Sequence, residues 1–276
     1  MAITTLLTVH LADEPIESVK PVMAFAGEIG AHLNIVVIGI MKTMPSSFYG
    51  GVPEFYLTDE HDMTIREAQE RAKDVRAMVG EADLSATVLI EYIERGLVAQ
   101  RMSTHALYSD IAVFPHRSLP NDNATADAFN GVLFKSGVPV LVLGEPEHQH
   151  YPFKCAVLGW DFEPQAARAI HRSLPLIADT RDVHVLLVDP DRNPLGSNPG
   201  DDIATFLVRH GLPVTVDLVP SAGRDVADVL LRHAVDKDAD LLVTGAYGHS
   251  RFQEWLLGGT TRDLLSNTKL PVLMAH

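Results

Sequence analysis

The sequence predicts an α/β protein built from two tandem, doubly wound parallel-sheet domains. Three observations predict it. Short apolar runs rich in β-branched residues alternate with segments of helical apolar spacing along the whole chain. The same order of segments is passed through twice, with matching residues at matching points. Between the passes, Gly144-Glu145-Pro146-Glu147-His148-Gln149-His150-Tyr151-Pro152 breaks every periodicity and reads as a linker, giving domains 1–146 and 152–276. Strand–helix–strand units of this length imply right-handed crossovers and a sheet covered by helices on both faces.

In the first pass, Ile3 to Val9 is an apolar run consistent with a buried strand, and Asp13-Glu14-Pro15 marks a turn. From Ile16, apolar Val19, Val22, Met23, Ala26 and Ile29 recur at helical spacing. Asn34 to Ile40 is the next strand, and Met41 to Pro53 has the proline, serine and glycine content of a loop. A charged helix follows from Asp59 to Val79, with Met63, Ala68, Ala72 and Val75 along one side. The pass closes with strand Ala86 to Ile93, helix Leu97 to Leu107, strand Ile111 to Phe114, helix Ala124 to Lys135 and strand Val138 to Leu143.

The second pass gives strand Lys154 to Leu158, a turn at Asp161-Phe162-Glu163-Pro164 and helix Gln165 to Ile177. Strand Val183 to Val188 leads into a polar loop from Asp189 to Asp201. Helix Asp202 to His210, strand Val214 to Val219 and helix Asp225 to Val235 come next, then strand Leu241 to Val243. Matching residues tie the passes together. Glu14-Pro15 corresponds to Glu163-Pro164, and Ser109-Asp110-Ile111-Ala112-Val113 to Ala239-Asp240-Leu241-Leu242-Val243. Ser136-Gly137-Val138-Pro139-Val140-Leu141 corresponds to Thr268-Lys269-Leu270-Pro271-Val272-Leu273.

The bulk properties narrow the class. A length of 276 residues suggests about two domains, and a mean hydropathy of +0.08 suits a globular chain. Residues 1–14 lack a basic leader, and no apolar run approaches the roughly 20 residues of a membrane helix, so a cytoplasmic protein without a membrane partner is expected. The single cysteine, Cys155, rules out an internal disulfide; its apolar neighbours point to core packing. A formal charge of −14 argues against a nucleic-acid partner, which would require clustered lysine and arginine.

The stretch with most chemical content lies near the C-terminus. The apolar run Leu241 to Val243 ends in Thr244-Gly245-Ala246-Tyr247-Gly248, and Gly258-Gly259-Thr260-Thr261 then opens a helical pattern at Leu264 and Leu265. Glycines after a strand let a ligand approach bare backbone. A following helix N-terminus presents N–H groups and a partial positive charge, which suits phosphate. Glycine and threonine there are equally the residues of an ordinary turn and helix cap.

The spacing Gly245-x2-Gly248-x9-Gly258 resembles the nucleotide-binding signature of the universal stress protein family. The closing Thr268-Lys269-Leu270-Pro271-Val272-Leu273-Met274 is similar to that family's last strand. The resemblance implies a Rossmann-like fold of the adenine nucleotide alpha hydrolase type. It also implies ATP or a related adenine nucleotide, with or without Mg, as bound ligand in the second domain. Gly245, Gly248, Gly258, Gly259, Thr260 and Thr261 would cradle the phosphates. Gly259 departs from the pattern, since the family places Ser or Thr there. Asp161, after the first strand of the second domain, would accept from the base or ribose; as a turn-forming Asp before Pro164 it has an equally ordinary reading. Val188 would pack on the adenine, or simply on the core. The family also pairs closing strands between domains, which implies an intramolecular pseudo-dimer here and leaves another surface for a homodimer.

The first domain lacks this equipment. Matching Glu14-Pro15 to Glu163-Pro164 places Ala12 opposite Asp161, and Pro115-His116-Arg117-Ser118 stands opposite Gly245-Ala246-Tyr247-Gly248. Phosphate-loop, dinucleotide and nucleophile-elbow motifs are absent from the sequence, and His148-x-His150 does not make a closed zinc site. Two functions compete. One is a nucleotide-binding stress-response regulator without enzyme activity beyond slow hydrolysis. The other is a nucleotide-independent binding or scaffolding protein of the same fold.

Overall fold

The first repeat starts with β1 (Thr5–Leu11), β2 (His32–Met41), β3 (Ala86–Glu94) and β4 (Ile111–Phe114), which pair in parallel in the order β3-β2-β1-β4. The structure is a computed structural model that describes residues 2–41, 54–115, 123–145, 151–190, 198–246 and 268–276, with the backbone alone for 54–59. Between the strands run α1 (Lys20–Ile29), α2 (Glu54–Glu81), α3 (Val98–Ala106) and α4 (Ala124–Lys135). Short 3-10 turns at Ile16–Val19 and Arg95–Leu97 lead into α1 and α3. The helix expected from Asp59 begins at Glu54, directly after Pro53, because no breaker follows that proline.

The second unit holds β5 (Val140–Val142), β6 (Cys155–Gly159), β7 (Asp182–Val188), β8 (Val214–Val219), β9 (Leu241–Gly245) and β10 (Val272–Ala275). Its helices are α5 (Pro164–Ile177), α6 (Asp201–Arg209) and α7 (Val226–Asp236). The strand order is β5-β10-β9-β6-β7-β8, parallel except for β5, which lies antiparallel to β10 with Leu141 opposite Leu273. By packing, the units are Thr4–Ser136 and Gly137–His276, the latter with the chain's first residues. The linker in the sequence and the boundary in space are thus different places. β5 closes the first repeat in sequence, yet its backbone hydrogen-bonds to β10. The start of the linker is also tied down, for the Glu145 N–H donates to Lys269 O at 2.9 Å.

Burial explains which strands read as continuous apolar runs. β1, β4, β6 and β9 are covered on both faces and are buried through most of their length. β3 and β8 stand at sheet edges and are mostly half-buried or exposed, and β8 begins with the alternation Val214-Thr215-Val216-Asp217.

One matched residue of the repeat has the same task in both units. The Asp110 carboxylate accepts from the N–H groups of Thr4 and Thr5 at 2.8 and 3.0 Å, and from Thr4 Oγ1 at 3.1 Å. Asp240 accepts from the N–H groups of Lys154 and Cys155 at 2.7 and 3.0 Å. Each aspartate precedes the fourth strand of its repeat and ties down the entry of the first. Hydrogen bonds to a charged acceptor contribute about 1.5–3 kcal/mol when shielded, and less at the surface. Asp240→Ala should therefore cost about 1–2 kcal/mol, read as a lower urea midpoint, while Asp240→Asn retains part of it. An unchanged midpoint for Asp240→Ala would remove this aspartate from the stability of the unit.

Candidate functional site

In the second unit, β6 is followed by β7 and β8 on one side, and the chain then returns to place β9 and β10 on the other. Successive strands therefore diverge between β6 and β9. Ligands of open parallel sheets bind beyond the carboxyl ends of strands at such a divergence. The strand ends there are Gly159-Trp160-Asp161 and Thr244-Gly245-Ala246.

Asp161 is exposed just past β6, and its Oδ1 accepts from the Glu163 N–H at 3.0 Å, forming the turn that starts α5. The turn-forming role is therefore real, and it also fixes the carboxylate at the strand end. Phe162, next in the chain, holds a left-handed φ of 66°. Such a backbone is uncommon for a bulky residue and persists only where surroundings impose it. The Trp160 and Phe162 rings meet edge to face with centroids 5.7 Å apart, so two aromatic side chains flank Asp161. Sequence reasoning passed over both, since neither belongs to a motif.

Gly245 has a steric reason to be glycine. A Cβ there would lie 2.5 Å from Ala166 N and 2.8 Å from Gln165 C, both in the first turn of α5. The helix N-terminus thus rests on the end of β9, and its partial positive charge faces the divergence. On the same turn, Gln165 Oε1 is buried without a hydrogen-bond partner among the described residues. Val188 is half-buried at the end of β7, opposite Val219. After it, Asp189 takes a left-handed φ of 46° and accepts from the Ser221 N–H at 3.0 Å. The two hydrogen bonds from Ser221 hold its carboxyl below the ordinary range. Gly248, Gly258, Gly259, Thr260 and Thr261 lie outside the described residues. The structure therefore brings Asp161 and Gly245 to one divergence, with Val188 at the neighbouring strand end.

The corresponding end of the first unit is built differently. The paired aspartates Asp110 and Asp240 match Thr5 to Cys155, which places Leu11, not Ala12, opposite Asp161. β1 continues through Leu11, two positions beyond the point matching the end of β6, so no carboxylate turn forms there. A one-residue difference in the following turn accounts for the shift. Pro115 occupies the position of Gly245, and the first helix starts as a 3-10 turn instead of a full α-helix. His10 and Thr125 are buried nearby and Glu14 is half-buried, with the Thr125 hydroxyl donating to Glu14 Oε1 at 3.0 Å.

Both units thus have the open, doubly wound α/β architecture whose ligand sites lie where the strand order diverges, and only the second sets glycine there. Residues 213–276 match the Universal stress protein family. No curated protein sequence matches the chain. Among solved structures it is similar to a universal stress protein from Archaeoglobus fulgidus, with TM-score 0.67, 16% identity, and 98% of this chain and 95% of the other covered. A Pseudomonas aeruginosa protein provisionally named a universal stress protein gives TM-score 0.55, 17% identity, and 99% and 93% coverage. A functionally unknown protein from the same species gives TM-score 0.57, 16% identity, and 99% and 92% coverage. At such identities the likeness is one of fold, and it spans both repeats. Among the described residues, no helix is long and apolar enough to cross a membrane.

Proposed function

We propose that the second domain, 152–276, binds one adenine nucleotide, ATP or a close relative with or without Mg, and that the chain acts as a cytoplasmic stress-response regulator rather than an enzyme. The observation carrying this reading is the meeting of Gly245, Asp161 and the α5 N-terminus where β6 and β9 diverge. In this reading Asp161 receives a ribose hydroxyl or the exocyclic amine, Val188 packs beside the base, and Gly245, Gly248 and Gly258 to Thr261 surround the phosphates. At the matching position of the first domain Pro115 replaces the glycine and lacks a backbone N–H, so one site per chain is proposed. The pairing of β5 with β10 supports an intramolecular pseudo-dimer, which leaves any homodimer to another surface.

A second reading, a nucleotide-independent binding protein, draws on Gly245 and Gly259. Packing against Ala166 alone accounts for Gly245, and Gly259 stands where the family places a hydroxyl. Calorimetric titration with ATP separates the two. Saturation is expected near one equivalent. Asp161→Ala removes a charged acceptor worth about 1.5–3 kcal/mol, so affinity should drop tenfold or more. Gly248→Val should weaken binding as well, by covering backbone with a β-branched side chain. Absence of ATP binding by the folded wild type selects the second reading, whereas unchanged affinity in both variants, with normal circular dichroism, leaves Asp161 and Gly248 with structural roles alone.

A further inference from the structure

The face of the second unit formed by β7, β8 and α7 gathers three potential metal ligands. His184 Nδ1 lies 2.8 Å from Asp217 Oδ2, and His233 Nε2 lies 2.9 Å from the same oxygen. The three ligand atoms are all within 4.8 Å of one another. His184 comes from β7 and Asp217 from the edge strand β8, two positions apart in register and so on one face of the sheet. His233 reaches them from the last turn of α7. The side chains are 15%, 18% and 11% exposed, sheltered yet open enough for a water ligand.

We propose that His184, Asp217 and His233 form a site for a divalent transition ion of the zinc class. Two imidazole nitrogens and a carboxylate oxygen match the borderline N/O preference of such ions, and three protein ligands leave a position for water. Metal–ligand bonds of about 2.0–2.1 Å place tetrahedral donors roughly 3.3 Å apart, so the present N···O distances need to open by only a few tenths of an ångström. A carboxylate only accepts, so in the metal-free arrangement both facing ring nitrogens carry protons. Metal entry moves each ring's proton to its other nitrogen through water and leaves the facing lone pair for the ion. Lys237 Nζ, 3.5 Å from Asp217 Oδ2, is the cation the metal must displace. Its flexible stem allows it to withdraw. His184 precedes Val188 by four residues, about 13 Å along the strand, so the site is separate from the divergence of β6 and β9. The proposal does not depend on nucleotide binding.

The test uses the full chain stripped with chelator and titrated with zinc chloride, or with cobalt chloride to report ligand geometry by visible absorption. The wild type should take up one zinc equivalent that Asp217→Asn and His233→Gln lose, whatever other histidines bind. Zinc should raise the melting temperature of the wild type and not of these variants. Lys237→Met should tighten binding. Should His233→Gln fail to fold, Asp217→Asn, which keeps acceptor and shape, decides alone. No zinc uptake by the wild type overturns the proposal, as does equal uptake by folded variants; the three side chains are then a hydrogen-bonded brace for the edge strand.

Discussion

Gly131→Ala should destabilise the first repeat by about 2 kcal/mol, although alanine is the better helix former. Gly131 lies in α4 where that helix meets α3, and an added Cβ would stand 2.1 Å from Ala99 O, 2.5 Å from its Cα and 2.6 Å from its carbonyl carbon. All three atoms are backbone, so no rotamer change relieves the clash and the helices must separate. Intrinsic propensity favours alanine by about 0.5–1 kcal/mol, whereas overpacking a closed interior costs about 1–3 kcal/mol and sometimes more. Because the obstacle is another helix's backbone, the cost falls at the upper end and the clash wins. Urea unfolding followed by circular dichroism should show an earlier transition for part of the signal. A midpoint equal to or above that of wild type would falsify the close approach of α3 and α4.

Acidification should weaken the same repeat through His10. The ring sits on β1 at 1% exposure, with Nδ1 3.2 Å from Ser18 Oγ and 3.8 Å from Glu14 Oε2. Its Nε2 is buried without a hydrogen-bond partner among the described residues. Burial first, and the nearby Arg71 charge second, lower its pKa from 6.5 to about 4. The unfolded chain therefore binds a proton that the folded one refuses. This contribution is fully present above pH 6.5 and lost as pH falls toward 4, amounting to about 3 kcal/mol in all and about 2 kcal/mol by pH 5. Glu14 acts oppositely. Burial raises its pKa against the hydrogen bonds from Thr125 and the backbone, so its contribution is present at low pH and lost on raising it. The net acid loss is smaller for that reason. Comparing the fall in melting temperature from pH 7 to pH 5 in wild type and His10→Gln isolates the ring, and the variant should fall less. Equal falls would assign the acid-sensitive group elsewhere.

Neither of these effects was legible in the sequence. His10 lies inside an apolar run and reads as a strand residue, and Gly131 reads as a mild helix defect. Both acquire consequence from distant chain: Arg71 near one, Ala99 against the other. His184, Asp217 and His233 are likewise spread over two strands and a helix, without a spacing that could mark them. The matched aspartates Asp110 and Asp240 are an intermediate case. Their correspondence was visible in the sequence, but their task as acceptors for the first-strand N–H groups was not.

The sequence by itself determined the class and order of elements, because apolar period is a local property set by whether two or 3.6 residues complete a repeat. It also determined that the chain is a duplication, and that glycine follows the fourth strand of the second copy alone. Tertiary structure decided the rest, because strand order and side-chain convergence depend on pairings between segments far apart in the chain. Placing β9 beside β6 brings Gly245 and Asp161 to one divergence, and the α5 first turn supplies Gly245 with a steric reason that the motif did not contain. Pairing β5 with β10 moves the spatial boundary to 136/137, since backbone hydrogen bonds bind that strand regardless of which repeat encodes it.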